Sequence, residues 1–223
     1  MVATAEQVVR DAHAQVQAVE RAIDRHPYLA AIASGSMSRA GLIALPGHQY
    51  HLTISGMRAD ATMLRRFGHT AARPFFHNLL EGEMAALANL LVLAAKMDLS
   101  EADLAAYEPS PEGFAYGCYV AWLADYGSAA EIVAGFLANL AAWGRNCGAV
   151  SDALRTHCGF KPEHTAFLDA FANLRGFDDV ALPIIQDGLD QGVAPAAILR
   201  AVRLLQAYEK MFWDALARCA ENG

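Results

Sequence analysis

The chain has 223 residues, of which 55% are hydrophobic and 18% are charged, and its formal net charge at pH 7 is −7. A chain of this length can bury one sizeable core, so we expect a single domain over residues 1–223. The negative charge argues against nucleic acid and acidic membrane surfaces as partners, because both are bound through Lys and Arg.

Apolar residues recur at the spacing of amphipathic helices along the chain, while Val and Ile are too scattered to build strands. Thr4 with Gln7 resembles a capping box, and Ser36 or Ser38 caps a later helix that Pro46-Gly47 should kink. The longer predicted helices cover residues 4–25, 38–67, 73–97, 112–125, 128–154, 163–174, 178–192 and 195–220. The helix 38–67 is predicted to resume at residue 48 after its kink. Two short helices are also predicted, one that ends at residue 32 and a connector that begins at residue 100. Eight longer helices and two short ones, joined by short links, indicate an all-α bundle.

One predicted helical segment, residues 132–142, contains no charged side chain. Such a segment is either central to the bundle or buried at a subunit interface, and both can be true. It is too apolar for the surface of a monomer, so we expect the protein to self-associate.

No signal for secretion or membrane insertion is apparent. Residues 1–11 carry charges and lack an apolar block of signal-peptide length, and no later segment approaches 18 uninterrupted apolar residues. Four scattered cysteines without Cys-x-x-Cys spacing predict neither disulfides nor structural zinc. We therefore expect a cytoplasmic protein, and the lack of a P-loop or dinucleotide fingerprint predicts no cofactor.

Two histidines form the first cluster of polar side chains among apolar neighbours. His48 and His51 share one helix face and could in principle bind a metal. Metal sites in helical bundles take Glu-x-x-His pairs from several helices, but Glu83 is followed by Ala86 and Leu87. We therefore expect no metal.

The second cluster lies in the last predicted helix. Glu209, Phe212 and Trp213 fall at i, i+3 and i+4, so a carboxylate shares a face with two aromatic rings and should be partly desolvated. A glutamate in this setting can have a raised pKa and transfer protons. The alternative is a surface glutamate paired with Arg203 or Lys210, which the pattern alone favours.

The third cluster combines an aromatic stripe with two residues of the next predicted helix. Such a stripe is usually core, but tyrosines and an asparagine in an apolar bundle need hydrogen-bond partners. A box of polar-tipped rings suits a flat heterocycle. Its members are Phe114, Tyr116, Tyr119, Trp122, Tyr126, Asn139 and Trp143.

Five stretches, in order over nearly the whole chain, resemble the TenA family, the thiaminase II group within the haem-oxygenase-like all-α fold. The stretches are His26–Gly35, Glu81–Ala85, Pro109–Tyr116, Gly127–Ile132 and Tyr208–Asp214. The resemblance implies a haem-oxygenase-like bundle that forms a homodimer or homotetramer.

Members of that family hold an aminopyrimidine between aromatic rings and hydrolyse it from its leaving group, using a cysteine nucleophile and a C-terminal glutamate that handles protons. By resemblance, the glutamate corresponds to Glu209, and Phe212 and Tyr116 are also kept. Five positions are changed, with Gln49 for an aspartate, Leu52 for a tyrosine, Asn139 for the cysteine, and Trp143 and Phe171 for tyrosines.

These changes alter the chemistry that the resemblance implies. Asparagine cannot form the covalent adduct of a thiolate, and none of the four cysteines lies at position 139. Gln49 removes a negative charge, although an amide still offers a donor and an acceptor to a ring edge. We expect a pocket that is retained as a shape and altered as a catalyst.

Three functions remain open at this point. The first is hydrolysis of a thiamin-related pyrimidine in which Glu209 activates water without a cysteine. The second is a divergent, oxidase-type enzyme acting on another small heterocycle. The third is a non-catalytic binding or regulatory protein, which fits the family's label of transcriptional activator but not the net charge or the absence of a helix-turn-helix signal.

Overall fold

Ten α-helices and one short 3₁₀ turn form the secondary structure of the computed structural model, which describes residues 3–221. The helices are α1 Ala5–Asp24, α2 Pro27–Ala33, α3 Arg39–Phe67, α4 Arg73–Ala95, α5 Glu101–Ala106, α6 Pro111–Tyr126, α7 Ala129–His157, α8 Ala166–Ala172, α9 Phe177–Asp190 and α10 Pro195–Glu221. The 3₁₀ turn spans Pro162–His164. No strand occurs within the described residues, which confirms the predicted all-α class.

Serine and threonine side chains set where several helices begin. Thr4 accepts a hydrogen bond from the backbone N–H of Gln7 at 3.3 Å, as the sequence pattern predicted for α1. Ser38, and not Ser36, caps α3. Ser128 forms a complete capping box with Glu131 at the start of α7. The Ser128 hydroxyl accepts from the Glu131 backbone N–H, and the Glu131 carboxylate accepts from the Ser128 backbone N–H.

The helix boundaries differ from the prediction in three places. α3 runs through Pro46 as one helix, so the proline does not interrupt it. α7 continues to His157, beyond the predicted end at 154, and leaves a shorter loop before Pro162. The predicted helix 163–174 is instead a 3₁₀ turn followed by the seven-residue α8, because Thr165 leaves the helical region at φ −105° and ψ 10°.

α7 and α10 form the centre of the bundle. α7 packs against α8, α9 and α10, and α10 also packs against α1, α3 and α6. Within the uncharged segment 132–142, residues 132–139 and Ala142 are buried within the single chain, Leu140 is partly buried and Ala141 is exposed. Of the two explanations for this segment, the structure supports the central position, so the segment no longer argues for self-association.

The short helix α8 is held against α7 by polar contacts and by close approach of the two backbones. Ser151 donates to Asp169 at 2.7 Å, and Arg155 forms an ion pair with the same carboxylate. Gly144 is required here, because a Cβ at this position would lie 2.7 Å from the backbone oxygen of Phe171. These contacts fix the position of the Phe171 ring.

α4 is apolar on most of its circumference. Among residues 3–221 it is the helix that is long and apolar enough to span a membrane; its most apolar 18 residues have a mean hydropathy of 1.3, and 22% of them are buried. One such helix is weak evidence for a membrane span, since core helices of soluble proteins can be equally long and apolar. The predicted absence of an uninterrupted apolar run still holds, because Glu81 and Glu83 lie within α4.

Candidate functional site

A cavity of about 460 Å³ opens between α3, α4, α6, α7, α8 and α10. All eight predicted site residues line it, although they come from five different helices. They are Gln49 and Leu52 of α3, Tyr116 of α6, Asn139 and Trp143 of α7, Phe171 of α8, and Glu209 and Phe212 of α10. The structure therefore brings them together, while their roles stay predictions.

Glu209 is a buried carboxyl group at one end of this cavity, with 3% of its surface exposed. One carboxylate oxygen accepts from Trp213 Nε1 at 3.2 Å, and the other accepts from the side-chain amide of Asn139. Burial raises the pKa of Glu209 to about 8, and the hydrogen bond from Trp213 opposes that rise. The surface alternative is wrong, because Lys210 pairs with Asp214 instead.

Asn139 connects Glu209 to Tyr116. The Tyr116 hydroxyl donates to the Asn139 side-chain oxygen at 2.9 Å, and the Asn139 nitrogen donates to Glu209. An amide can donate and accept simultaneously, so this residue completes a chain of hydrogen bonds in which a thiol would be only a weak donor and a weak acceptor. Burial raises the pKa of Tyr116 well above its usual value, so this tyrosine stays protonated.

Three aromatic rings form the apolar wall beside Glu209. Trp143 meets Phe212 edge to face, with ring centroids 5.7 Å apart, and meets Phe171 with centroids 5.9 Å apart. These spacings are typical of favourable aromatic packing. The polar groups of the cavity thus face apolar surfaces on which a flat ring can lie.

Gln49 and Leu52 lie on the opposite wall. The Gln49 side-chain nitrogen donates to Thr53 Oγ1 at 3.4 Å, and its oxygen remains able to accept. Leu52 packs close to Gly117 of α6, where an added Cβ would lie 3.0 Å from a Leu52 methyl group. This wall is less polar than an aspartate and a tyrosine would make it.

The third sequence cluster is divided by the structure. Tyr116, Asn139 and Trp143 line the cavity, but Tyr119 and Trp122 stack on each other outside it at 5.7 Å. Trp122 and Tyr126 are 46% and 72% exposed. The prediction of one aromatic box was wrong for these residues: Tyr119, Trp122 and Tyr126 are spaced i, i+3 and i+7, so they share a face of α6 that differs from the cavity face of Tyr116, Gly117 and Val120.

The histidine cluster is structural in the case of His48. Its Nδ1 lies 2.9 Å from the Ala44 backbone oxygen, and its Nε2 accepts from the Ser110 backbone N–H at 3.3 Å. Burial lowers the pKa of His48, which favours this neutral, hydrogen-bonded ring. Across residues 3–221, no three His, Cys, Asp or Glu side chains are grouped so that they could hold a metal ion.

Two acidic residues of the cavity were not predicted as site residues. Asp60 of α3 and Glu83 of α4 line it, together with residues of the link between α8 and α9 such as Arg175. A signal for Asp60 exists in the sequence, because Gln49, Leu52, Gly56 and Asp60 recur at helical spacing on one face of α3.

The sequence that forms this cavity matches a known protein family. The sequence profile of the TENA/THI-4/PQQC family matches residues 13–180, which is most of the chain. The chain belongs to the TENA/THI-4/PQQC family. This result confirms the resemblance to TenA proteins, whereas a search of curated proteins found no match.

Solved structures of TENA/THI-4/PQQC relatives share the fold. A TenA homologue from Pseudomonas syringae pv. tomato superimposes with a TM-score of 0.81 at 16% identity, covering 98% of this chain and 97% of that one. A Shewanella denitrificans domain of unknown function, described as having a heme oxygenase-like fold, gives 0.74 at 12% identity, covering 98% and 94%. These similarities confirm the haem-oxygenase-like fold.

A third neighbour is described as a TenA family transcription regulator from Silicibacter. It has a TM-score of 0.61 at 17% identity, with 96% of each chain covered. At such identities the likeness extends to the fold alone.

Proposed function

We propose that this TENA/THI-4/PQQC family member binds a thiamin-related aminopyrimidine in its cavity and hydrolyses it, with Glu209 as the proton-transfer residue. The observation that carries the proposal is the state of Glu209, a buried carboxyl group that lines the cavity and is held by Trp213 and Asn139. A fixed, desolvated carboxyl group with a pKa near working pH suits general acid–base catalysis.

The raised pKa favours one direction of proton transfer. With a pKa of about 8, Glu209 carries its proton through most of the neutral range. With an amine as the leaving group, Glu209 would therefore donate that proton to the departing nitrogen while water forms the new bond to carbon; the quaternary thiazolium nitrogen of thiamin leaves as a neutral ring and needs no proton. The proton that water loses then restores Glu209. This order reverses the expectation that the glutamate first acts as a base.

The proposed reaction runs without a covalent enzyme intermediate. No cysteine is among the residues that line the cavity in the described part of the chain. Cys147 is fully buried nearby in the core, and burial raises the pKa of its thiol well above the usual value. A thiol in that state is not a nucleophile.

The binding half of the proposal rests on the cavity walls. Trp143, Phe171 and Phe212 offer ring surfaces, and Gln49 offers an amide edge. Planar heterocycles with donors and acceptors on their edges fit such a lining. No metal or other cofactor enters the proposed reaction.

The test is a mass-spectrometric search for hydrolysed pyrimidine from thiamin and from the amine and formyl-amine forms of its pyrimidine precursor. Glu209→Gln should lower turnover by roughly a hundredfold or more, the usual scale for loss of a proton-transfer group. Glu81→Gln serves as a matched control, since Glu81 is an exposed glutamate of α4 outside the cavity. Equal turnover in wild type and Glu209→Gln would remove Glu209 from the mechanism.

A second candidate function is favoured by Asn139, which occupies the position where the resemblance expects a nucleophile and donates to Glu209. A fully hydrogen-bonded pocket without a nucleophile also suits a non-catalytic binding or regulatory protein. Tight pyrimidine binding without product release, measured by calorimetry beside the mass-spectrometric assay, would support this function over hydrolysis.

We also propose that the protein is cytoplasmic and forms a homodimer or homotetramer. Two surface features favour self-association, the exposed Trp122 and Tyr126 of α6 and the apolar exposed face of α4, where Met84 is 59% exposed. Sedimentation velocity at micromolar concentration should detect the oligomer. A monomer under these conditions would contradict the proposal.

A further inference from the structure

Two carboxyl groups of the cavity have no part in the proposed hydrolysis. Asp60 projects from α3 and Glu83 from α4, two helices that pack against each other. The Glu83 carboxylate lies over Gly56, one turn before Asp60, since a Cβ added at Gly56 would be 3.6 Å from Glu83 Oε2. The two acids thus lie at one place where α3 meets α4.

Both groups contain an oxygen that is buried and unpartnered. Asp60 is 2% exposed, and neither its Oδ2 nor Oε2 of Glu83 has a hydrogen-bond partner within residues 3–221. Neither carboxylate joins an ion pair in that part of the chain. A buried polar atom without a partner is costly and uncommon in native proteins, so its retention calls for an explanation.

The surroundings of the two acids intensify this cost. Apolar neighbours such as Leu79 and Ala86 share the same part of the cavity lining. Burial raises the pKa of Asp60 to about 8, with Glu83 adding to the effect, and burial raises the pKa of Glu83 to about 7. Negative charge at this place is unfavourable until a positive group enters.

Tyr116 connects this pair with the other end of the cavity. Its hydroxyl donates to Asn139 beside Glu209, yet Glu83 and Asp60 also contribute to the raised pKa of Tyr116, after burial and Glu209. One ligand in a cavity of about 460 Å³ can therefore contact both ends.

We propose that Asp60 and Glu83 form a second subsite that binds a cationic nitrogen group of the cavity's ligand, an amidinium, guanidinium or protonated amine. Such groups present several N–H donors, and two carboxylates can accept from them in charge-assisted hydrogen bonds. The low dielectric of the cavity strengthens these bonds. A metal ion is a poorer occupant, because the described residues offer no third His, Cys, Asp or Glu ligand here.

The subsite goes beyond the proposed hydrolysis and does not require Glu209 to transfer a proton. Its test uses benzamidine and the neutral, nearly isosteric benzamide as probes, with affinities measured by isothermal titration calorimetry. Wild-type protein should bind benzamidine at least about tenfold more tightly than benzamide, the scale of a hydrogen bond to a charged group. Asp60→Asn combined with Glu83→Gln should reduce this preference to within about twofold.

Glu81→Gln is the matched control, because Glu81 lies on the same helix as Glu83 but is exposed and outside the cavity. It should keep the full preference. Circular dichroism and unchanged benzamide affinity verify that each variant is folded.

Three results would overturn the subsite. They are equal affinity of wild type for both probes, no detectable benzamidine binding at millimolar concentration, and a preference that survives in the double variant. Failure of the hydrolysis proposal is distinguishable, because it would appear as equal turnover of wild type and Glu209→Gln while the benzamidine preference persists.

Discussion

The two ends of the cavity treat buried carboxyl groups differently. At one end, both oxygens of Glu209 accept hydrogen bonds, from Trp213 and from Asn139. At the other end, Asp60 and Glu83 each retain a buried oxygen without a partner. Hydrogen bonds to both oxygens fix the orientation of a carboxyl group that must transfer a proton. Oxygens without a partner remain able to accept hydrogen bonds from a ligand.

The causes of the raised pKa values also differ between the two ends of the cavity. Burial raises the pKa of Glu209, and the Trp213 hydrogen bond stabilises its charged form and lowers the pKa again. Burial also raises the pKa of Asp60, but the neighbouring Glu83 raises it further. Both pKa values are about 8, but only Glu209 has a hydrogen-bond donor of the protein that stabilises its charged form, whereas for Asp60 a cation of the ligand would have to supply that stabilisation.

Among the changes that distinguish the two ends, removal of the hydrogen bond from Trp213 to Glu209 should have the largest effect, and it should act on the pH profile of turnover. If protonated Glu209 is the active form, wild-type turnover falls about tenfold per pH unit above pH 8. Trp213→Phe removes the N–H that stabilises the carboxylate, so the pKa of Glu209 should rise and the decline should begin at higher pH. The measurement is turnover between pH 6 and pH 10.

Trp122→Phe is the control for this experiment, since Trp122 lies on the surface outside the cavity. It should leave the pH profile of turnover unchanged. Turnover that increases through pH 8 would instead make Glu209 the base, and an unshifted profile in Trp213→Phe would mean that this hydrogen bond does not control its pKa.

The unpartnered end should dominate the pH dependence of stability. The folded-state pKa of Asp60 is raised to about 8, above an unfolded value near 4, so its stabilising contribution is complete below about pH 4 and is lost as pH rises toward 8. Asp60→Asn removes this loss. The variant should gain stability over wild type by roughly 1 kcal/mol per pH unit between pH 5 and pH 7.

Urea unfolding at pH 5, 6 and 7 measures this difference. The two free energies of unfolding should diverge with increasing pH, with wild type the lower at pH 7. Parallel pH dependences would mean that Asp60 has a folded-state partner. Adding benzamidine at pH 7 should narrow the gap, because a bound cation stabilises the charged pair only in wild type.

The smallest effect is expected where the two ends meet. Tyr116→Phe removes the hydroxyl that donates to Asn139 and leaves the ring in place. Loss of one neutral hydrogen bond should weaken pyrimidine binding about fivefold. Tyr119→Phe is the matched control on the same helix, because Tyr119 lies outside the cavity, and calorimetry should detect no change. A loss equal in both variants would exclude a specific role for Tyr116.

Much of the fold was accessible from the sequence because its signals are local. The cap at Thr4 and the helix start at Ser128 depend on contacts within one helical turn. Predictions were less accurate where a long-range contact decides the outcome. The split of residues 163–174 is an example, because α8 is held in place by Ser151 and Arg155 of α7.

In the candidate site, too, local spacing and family resemblance were informative, whereas long-range contacts could not be predicted. Helical spacing related Glu209 to Phe212 and Trp213, and the family resemblance related residues that lie far apart in the chain. Neither could identify the partner of a buried polar atom. Asp60 was missed because a single acid in an apolar helix is usually exposed, and its burial depends on where α4 lies against α3.

The sequence by itself determined the all-α class and the family, and the resemblance it carries located eight of the residues that line the cavity, since helix signals are local and family motifs survive in order. The single-domain organisation, the oligomeric state and the cytoplasmic location stay predictions. Only the tertiary structure decided which side chains are satisfied. Asn139 donates to Glu209, whereas Asp60 and Glu83 each keep one buried carboxylate oxygen without a partner among the described residues, because hydrogen bonding and desolvation depend on atoms that distant helices bring together.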